Sequence, residues 1–143
     1  MCLNQIDWNA KSRAHPKNRD KWLVGYKVMS IDHGNPFGYD GIFYEYISPI
    51  AYNEILKAKG TTQIYSDGIS YHYGFHILKT IEDAKKYTQY NNNRVIFKVE
   101  YRKIVAQGIQ VRIGKLPCDV AAEMRFISIV EQPKEENAEY VGN

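Results

Sequence analysis

The 143-residue chain predicts an α+β fold, a mainly antiparallel β-sheet with two short helices, and three observations carry that prediction. Val95, Phe97, Val99 and Tyr101 alternate with Lys98, Glu100 and Arg102, the two-residue period of a strand with one wet face. Two segments carry helix boundaries: Ser48-Pro49 with Gly60 beyond it, and Thr80 ahead of the acids Glu82 and Asp83. Around them lie runs rich in aromatic and β-branched residues, punctuated by Gly, Asn, Asp and Pro, which read as strands and turns.

In chain order, residues 1–20 show no periodicity and hold Pro16, so they read as an irregular arm, with Trp8 as its candidate anchor. Lys21 to Ile31 is a first strand, Asp32 to Gly41 a turn-forming stretch, and Ile42 to Ile47 a second strand. Ser48 to Gly60 is expected to be the first short helix. A loop through Ser66-Asp67-Gly68 leads into Tyr71-His72-Tyr73-Gly74-Phe75-His76, after which Thr80 to Tyr90 is the second helix, ended by Asn91-Asn92-Asn93. The alternating strand follows, then Ile104 to Ile113 with Gly108 as a bulge or turn, and Val120 to Glu131 closes the sheet. Residues 21–131 form the expected domain, and 132–143 an acidic flexible tail.

Composition narrows the function classes. With 44% hydrophobic and 24% charged residues the chain reads as globular, and no apolar run nears the roughly 20 residues that cross a bilayer, so a cytosolic location is expected. A net charge of +3 is too mild to demand a long nucleic acid as partner, although cations cluster at Lys11–Lys21 and again at Arg94–Lys115. Cys2 and Cys118 lack metal spacing and suit no structural disulfide; Cys118 reads as inert, and Cys2 as a terminal nucleophile only after trimming of Met1. His72 and His76 would share one face of a regular strand, but His15 and His33 stand in irregular regions and supply no convincing third zinc ligand. No cofactor is expected, because no complete catalytic or metal motif is present.

The segment from Tyr71 to Thr80 carries the ligand reading. Tyr73 and Phe75 offer rings for stacking, His76 offers hydrogen bonds, Gly74 admits a close backbone approach, and the helix start offers N–H groups to an anion. Asn92 sits where an amide can read the edge of a base or ribose. Arg94, Arg102, Arg112 and Arg125 are the candidates for phosphate, Arg125 first, because it interrupts a nearly continuous apolar strand and needs a partner there. The plainer readings are sheet packing for the rings and ion pairs for the arginines.

Met1-Cys2-Leu3, Gly25-Tyr26-Lys27-Val28, Gly74-Phe75-His76 with Thr80-Ile81-Glu82-Asp83-Ala84, and Ala122-Glu123-Met124-Arg125-Phe126 resemble a group of small phage and prophage proteins over most of residues 1–131. Within it the chain most resembles the anti-Thoeris sponge proteins, which sequester cyclic ADP-ribose signals of a bacterial defence system. That resemblance implies a homo-oligomer built on dimers, a pocket at the subunit boundary, action in the host cytoplasm, and capture of a cyclic ADP-ribose isomer or related cyclic nucleotide without turnover. Tyr73, Phe75, His76, Asn92, Arg112 and Arg125 are the expected ligand-binding residues. The rival expectation is an ADP-ribosyltransferase-like enzyme in which Tyr26, the helix after Phe75, and Glu100 or Glu123 surround a nicotinamide dinucleotide; a glutamate beside Arg102 or Arg125 reads more simply as a salt bridge. A third is an inhibitor that binds a host polypeptide.

Overall fold

The computed structural model describes residues 3, 5–6, 19–31, 39–41, 51–58, 63–66, 69–72, 74–88, 94–112 and 114–131. In chain order these form β1 (Gln5–Ile6), β2 (Leu23–Ile31), β3 (Tyr39–Gly41), β4 (Leu56–Lys57), β5 (Gln63–Ser66), β6 (Ile69–His72), β7 (Phe75–Leu78), α1 (Ile81–Thr88), β8 (Arg94–Arg112) and β9 (Gly114–Glu131). The strand pairings described are antiparallel, apart from an isolated parallel bridge between Tyr52 and Phe126.

The alternating segment becomes a long hairpin. β8 and β9 pair from Ile96 opposite Glu131 to Arg112 opposite Gly114, and Gly114 takes a φ of 94° at the turn, a conformation that costs a residue without Cβ little. The sequence divides this stretch near Lys103 and assigns Gly108 a bulge or turn. The structure instead runs one strand through both, with Gly108 in register opposite Cys118. The irregularities fall at Ile96/Phe97, Lys98/Val99 and Ile104/Ala106, and Lys103 has a φ of 60° with its N–H donating to Arg19 O at 3.0 Å.

These strands form a ring. β8 pairs with β2, β2 with β7, β7 with β9, and β9 with β8. The seam is the β2–β7 contact, held in register at Tyr26 opposite Leu78. Neighbouring residues enter different apolar clusters: Val95, Phe97, Val99, Phe75 and Ile77 join one, while Ile96, Leu78 and Val28 join the other with Leu3, Ala84 and Tyr87. Both faces of the central strands are therefore packed. Gly25 permits the tight fit on one face, since a Cβ there would lie 2.4 Å from Ile77 Cγ2 and 2.8 Å from Tyr101 Cε1.

One helix is present among the described residues, not two. The second expected helix forms as α1, where the Thr80 hydroxyl accepts the Asp83 N–H at 3.1 Å, an N-cap, and Glu82 and Asp83 occupy the first turn. The expected helix over 48–60 is corrected for residues 51–58. Asn53 has a φ of 65°, Asn53 N donates to Phe126 O, and Leu56–Lys57 pairs with Met124 and Glu123 as an edge strand. Tertiary pairing with β9 overrides the local helix signals. The expected strand at 42–47 and the tail at 132–143 lie outside the described residues. No helix among the described residues is long and apolar enough to cross a membrane.

Candidate functional site

The motif Gly74-Phe75-His76 lies in the wall of the ring, where β7 is flanked by β2 and β9. Phe75 is 1% exposed and His76 is fully buried. A Cβ on Gly74 would sit 2.6 Å from Ala121 O, so glycine is required there by the neighbouring backbone. His76 lies in a buried hydrogen-bond chain. Its Nδ1 is 3.2 Å from Gly74 O, which can only accept, so Nδ1 carries a hydrogen there; Nε2 meets the Tyr71 hydroxyl at 2.9 Å, and the Tyr71 oxygen accepts the Leu3 N–H at 3.0 Å. The two rings meet edge to face at 5.7 Å. The chain ties fully buried Leu3 to the core.

Lys27 borders this network from β2. It is 1% exposed and its Nζ donates to His76 O at 3.2 Å. Burial lowers its pKa from 10.5 to about 8, with the neighbouring Cys118 acting in the opposite direction. Burial pushes the Cys118 thiol up to about 12, only partly offset by Lys27, so this cysteine is held protonated. His72 ends β6 and His76 sits in β7, so the shared strand face that a paired zinc site needs is absent. Among the described residues no group of three or more His, Cys, Asp or Glu could hold a metal ion.

A second buried centre surrounds Asp119, 2% exposed. The Tyr101 hydroxyl donates to Oδ2 at 2.7 Å, Gln107 Nε2 donates to Oδ1 at 2.7 Å, and Lys79 Nζ lies 3.4 Å from Oδ1. These donors offset the desolvation of the carboxylate and pin β9 to β8 and to the end of β7.

The β8–β9 register settles the partners of the charged candidates. Arg125 stands opposite Glu100 and donates to its Oε1 from Nε at 2.8 Å, with Nη2 also at 2.8 Å. Arg102 stands opposite Glu123 and donates to its Oε1 at 2.7 Å, and Lys103 reaches Oε2 at 3.1 Å. Burial alone raises the Glu123 pKa, but the hydrogen bonds from Arg102 and Lys103 outweigh it and leave the carboxyl below its ordinary value. The Trp22 ring joins the two pairs, with the Arg125 and Arg102 guanidinium carbons 4.2 and 4.3 Å from its centroid. Arg125, first choice for phosphate on sequence grounds, is an ion-paired and stacked residue here.

Arg94 has the opposite character. Its guanidinium lies over the Tyr87 ring at 4.6 Å, and its Nε and Nη1 are buried without a hydrogen-bond acceptor. Tyr87 is a buried residue of the last turn of α1, a turn that also carries the exposed Lys85 and Lys86. Sequence reasoning placed Arg94 among four phosphate candidates but missed Tyr87. The available signal was a tyrosine in the last turn of a helix joined by a short asparagine-rich connection to an arginine that opens a strand. Of the other expected ligand residues, Tyr73 and Asn92 lie outside the described residues, and Arg112 is placed only by its backbone, opposite Gly114. Phe75 and His76 come together in the core, while Arg125 stands apart on the Trp22 ladder.

Comparison with family models, curated proteins and solved structures yields no match for this chain.

Proposed function

We propose that the chain is a non-catalytic binder of a phosphate-bearing nucleotide, of the cyclic ADP-ribose class that its sequence resemblance implies, and that it silences a bacterial immune signal by holding it. The observation that carries this reading is Arg94. Buried guanidinium donors without an acceptor are costly, and an anion satisfies them. Tyr87 fixes the plane of the group before any ligand arrives, which reduces the ordering that binding must impose. Lys85 and Lys86, in the same last turn of α1 as Tyr87, add positive field at that end of the helix. The short connection through Asn92 joins α1 to β8 beside it, so the amide expected to read a base or ribose is near in sequence to the guanidinium expected to hold phosphate.

This reading moves the phosphate subsite from Arg125 to Arg94 and leaves Phe75 and His76 a structural part. In the homo-oligomer that the resemblance implies, a second copy supplies the remaining walls. The enzyme alternative gains less support, since Glu100 and Glu123 are each engaged by arginine.

Calorimetric titration with cyclic ADP-ribose isomers and with ADP-ribose tests the proposal. Arg94→Ala should weaken binding about 10- to 100-fold, the scale of a lost charge-assisted hydrogen bond, while Arg125→Ala changes affinity little. Ligand released by heat should run unchanged on chromatography. Cleaved nucleotide, or full affinity in Arg94→Ala, overturns the reading.

A further inference from the structure

Val99 and Tyr101 are buried in the cluster around Phe97, so Glu100 and Arg102 point from the opposite face of β8, and residues directly across each ladder share their side. Val24 stands opposite Glu100, and Glu100 opposite Arg125. On the other flank Leu56 pairs with Met124 and packs against the Phe97 cluster, so Ile55, one residue before it, turns outward at the level of Arg125. Val24, Glu100, Arg125 and Ile55 thus make one row across four strands. A second row holds Trp22, Arg102, Glu123 and Lys57. There Arg102 and Lys57 both stand opposite Glu123, and the Trp22 ring lies under the Arg102 and Arg125 guanidiniums.

The first row ends in exposed apolar side chains. Val24 is 51% and Ile55 43% exposed, although the same face of β2 and β8 is packed with α1 residues at Val28 and Ile96. Between these ends the charges form a checkerboard, with glutamate and arginine alternating both along and across β8 and β9. Such a pattern is complementary to itself. A half-turn about an axis that runs parallel to the strands, between β8 and β9, lays every glutamate on an arginine of a second copy. We propose that this face is the two-fold interface of a homodimer, with Val24 on the partner's Ile55, Glu100 on the partner's Arg125 and Trp22 on the partner's Lys57. No charge of the checkerboard then enters the contact without an opposite neighbour. A half-turn about the perpendicular axis in the same plane also matches the charges but lays Ile55 on the partner's Lys57, so the apolar ends choose between the two. With Lys98 and Ser128 as a third row, the strand spacings give roughly 400 Å² per copy, about half a standard interface, which makes the dimer a weak and reversible one. The contact stands apart from the anion-binding reading, since Arg94 lies six residues from Glu100 along β8, about 20 Å away.

Sedimentation velocity on the full chain, from low to high micromolar concentration, measures the dimer. Val24→Lys and Ile55→Glu alter two exposed side chains, so each variant should keep the parent's circular dichroism and melting temperature. Each should weaken self-association about tenfold or more, because it sets an ammonium or a carboxylate against an aliphatic side chain. An equimolar mixture of the two should recover the dimer: the introduced ammonium of one chain meets the introduced carboxylate of the other, and an unaltered valine–isoleucine contact remains across the axis. Arg94→Ala should leave self-association unchanged. A full chain that stays monomeric at every concentration overturns the interface and leaves the face to a different partner. Variants that dimerise as the parent does, or a mixture no more associated than its components, overturn it as well.

Discussion

At the scale of single residues, Lys27 is the group whose chemistry folding changes most clearly. Its pKa falls from 10.5 to about 8, so below pH 8 the folded protein holds a buried ammonium that the unfolded chain keeps in water. The penalty is on the order of 3 kcal/mol and is relieved as pH rises from 8 toward 10.5, where the unfolded chain binds the extra proton. Cys118 acts with the opposite sign: raised from 9 to about 12, its thiol stays protonated in the fold after the unfolded thiol ionises, so it lowers stability from pH 9 upward. Chemical denaturation should therefore show stability rising between pH 8 and 9 and flattening above. Lys27→Met should be more stable than the parent at pH 7 by about 2 kcal/mol, after loss of the hydrogen bond to His76 O, and should lack the rise. A parent profile that is flat or falling from pH 8 to 9 would contradict this. Asp119 makes a second residue-level case: Tyr101→Phe removes a 2.7 Å donor from a buried carboxylate and should cost about 1.5–3 kcal/mol in the same experiment.

At the scale of elements, local chemistry was legible where it decides the outcome. α1 begins where the sequence places it because Thr80 caps it, and Thr80→Ala should lower the unfolding free energy by about 1 kcal/mol. β8 was legible from its alternation. The segment over 48–60 was not, since its proline and glycine describe a helix while Leu56 and Lys57 find Met124 and Glu123 as strand partners. The site was less legible still. Glu100 and Arg125 are 25 residues apart, and only the β8–β9 register brings them together, so the sequence could present Arg125 as unpartnered. Gly74-Phe75-His76 looks like a ligand loop in isolation; flanking strands on both sides turn it into core. The glycine demand makes a sharp prediction. Gly74→Ala puts a methyl 2.6 Å from the Ala121 carbonyl oxygen, which is backbone of the paired strand, and should cost more than about 2 kcal/mol or prevent folding, read by circular dichroism and thermal melting.

At the scale of the whole molecule, the strand ring has unequal joints. β8 and β9 pair along most of their length and β2 follows β8 from Leu23 to Ser30, whereas β2 and β7 are in register at Tyr26 and Leu78. Native-state hydrogen exchange should find β8–β9 amides protected to the global limit and those at the β2–β7 seam opening at lower free energy. Equal protection at both joints would argue against a weak seam.

The same arrangement bears on how a ribosome delivers the chain. β2 leaves the exit tunnel about 70 residues before β8, the partner it follows from Leu23 to Ser30, and β1 waits about a hundred for Gly108 and Ile109. Apart from the short local pairs β2–β3 and β5–β6, the first half therefore travels without its strand partners, and the ring can close only after the final hairpin has been made.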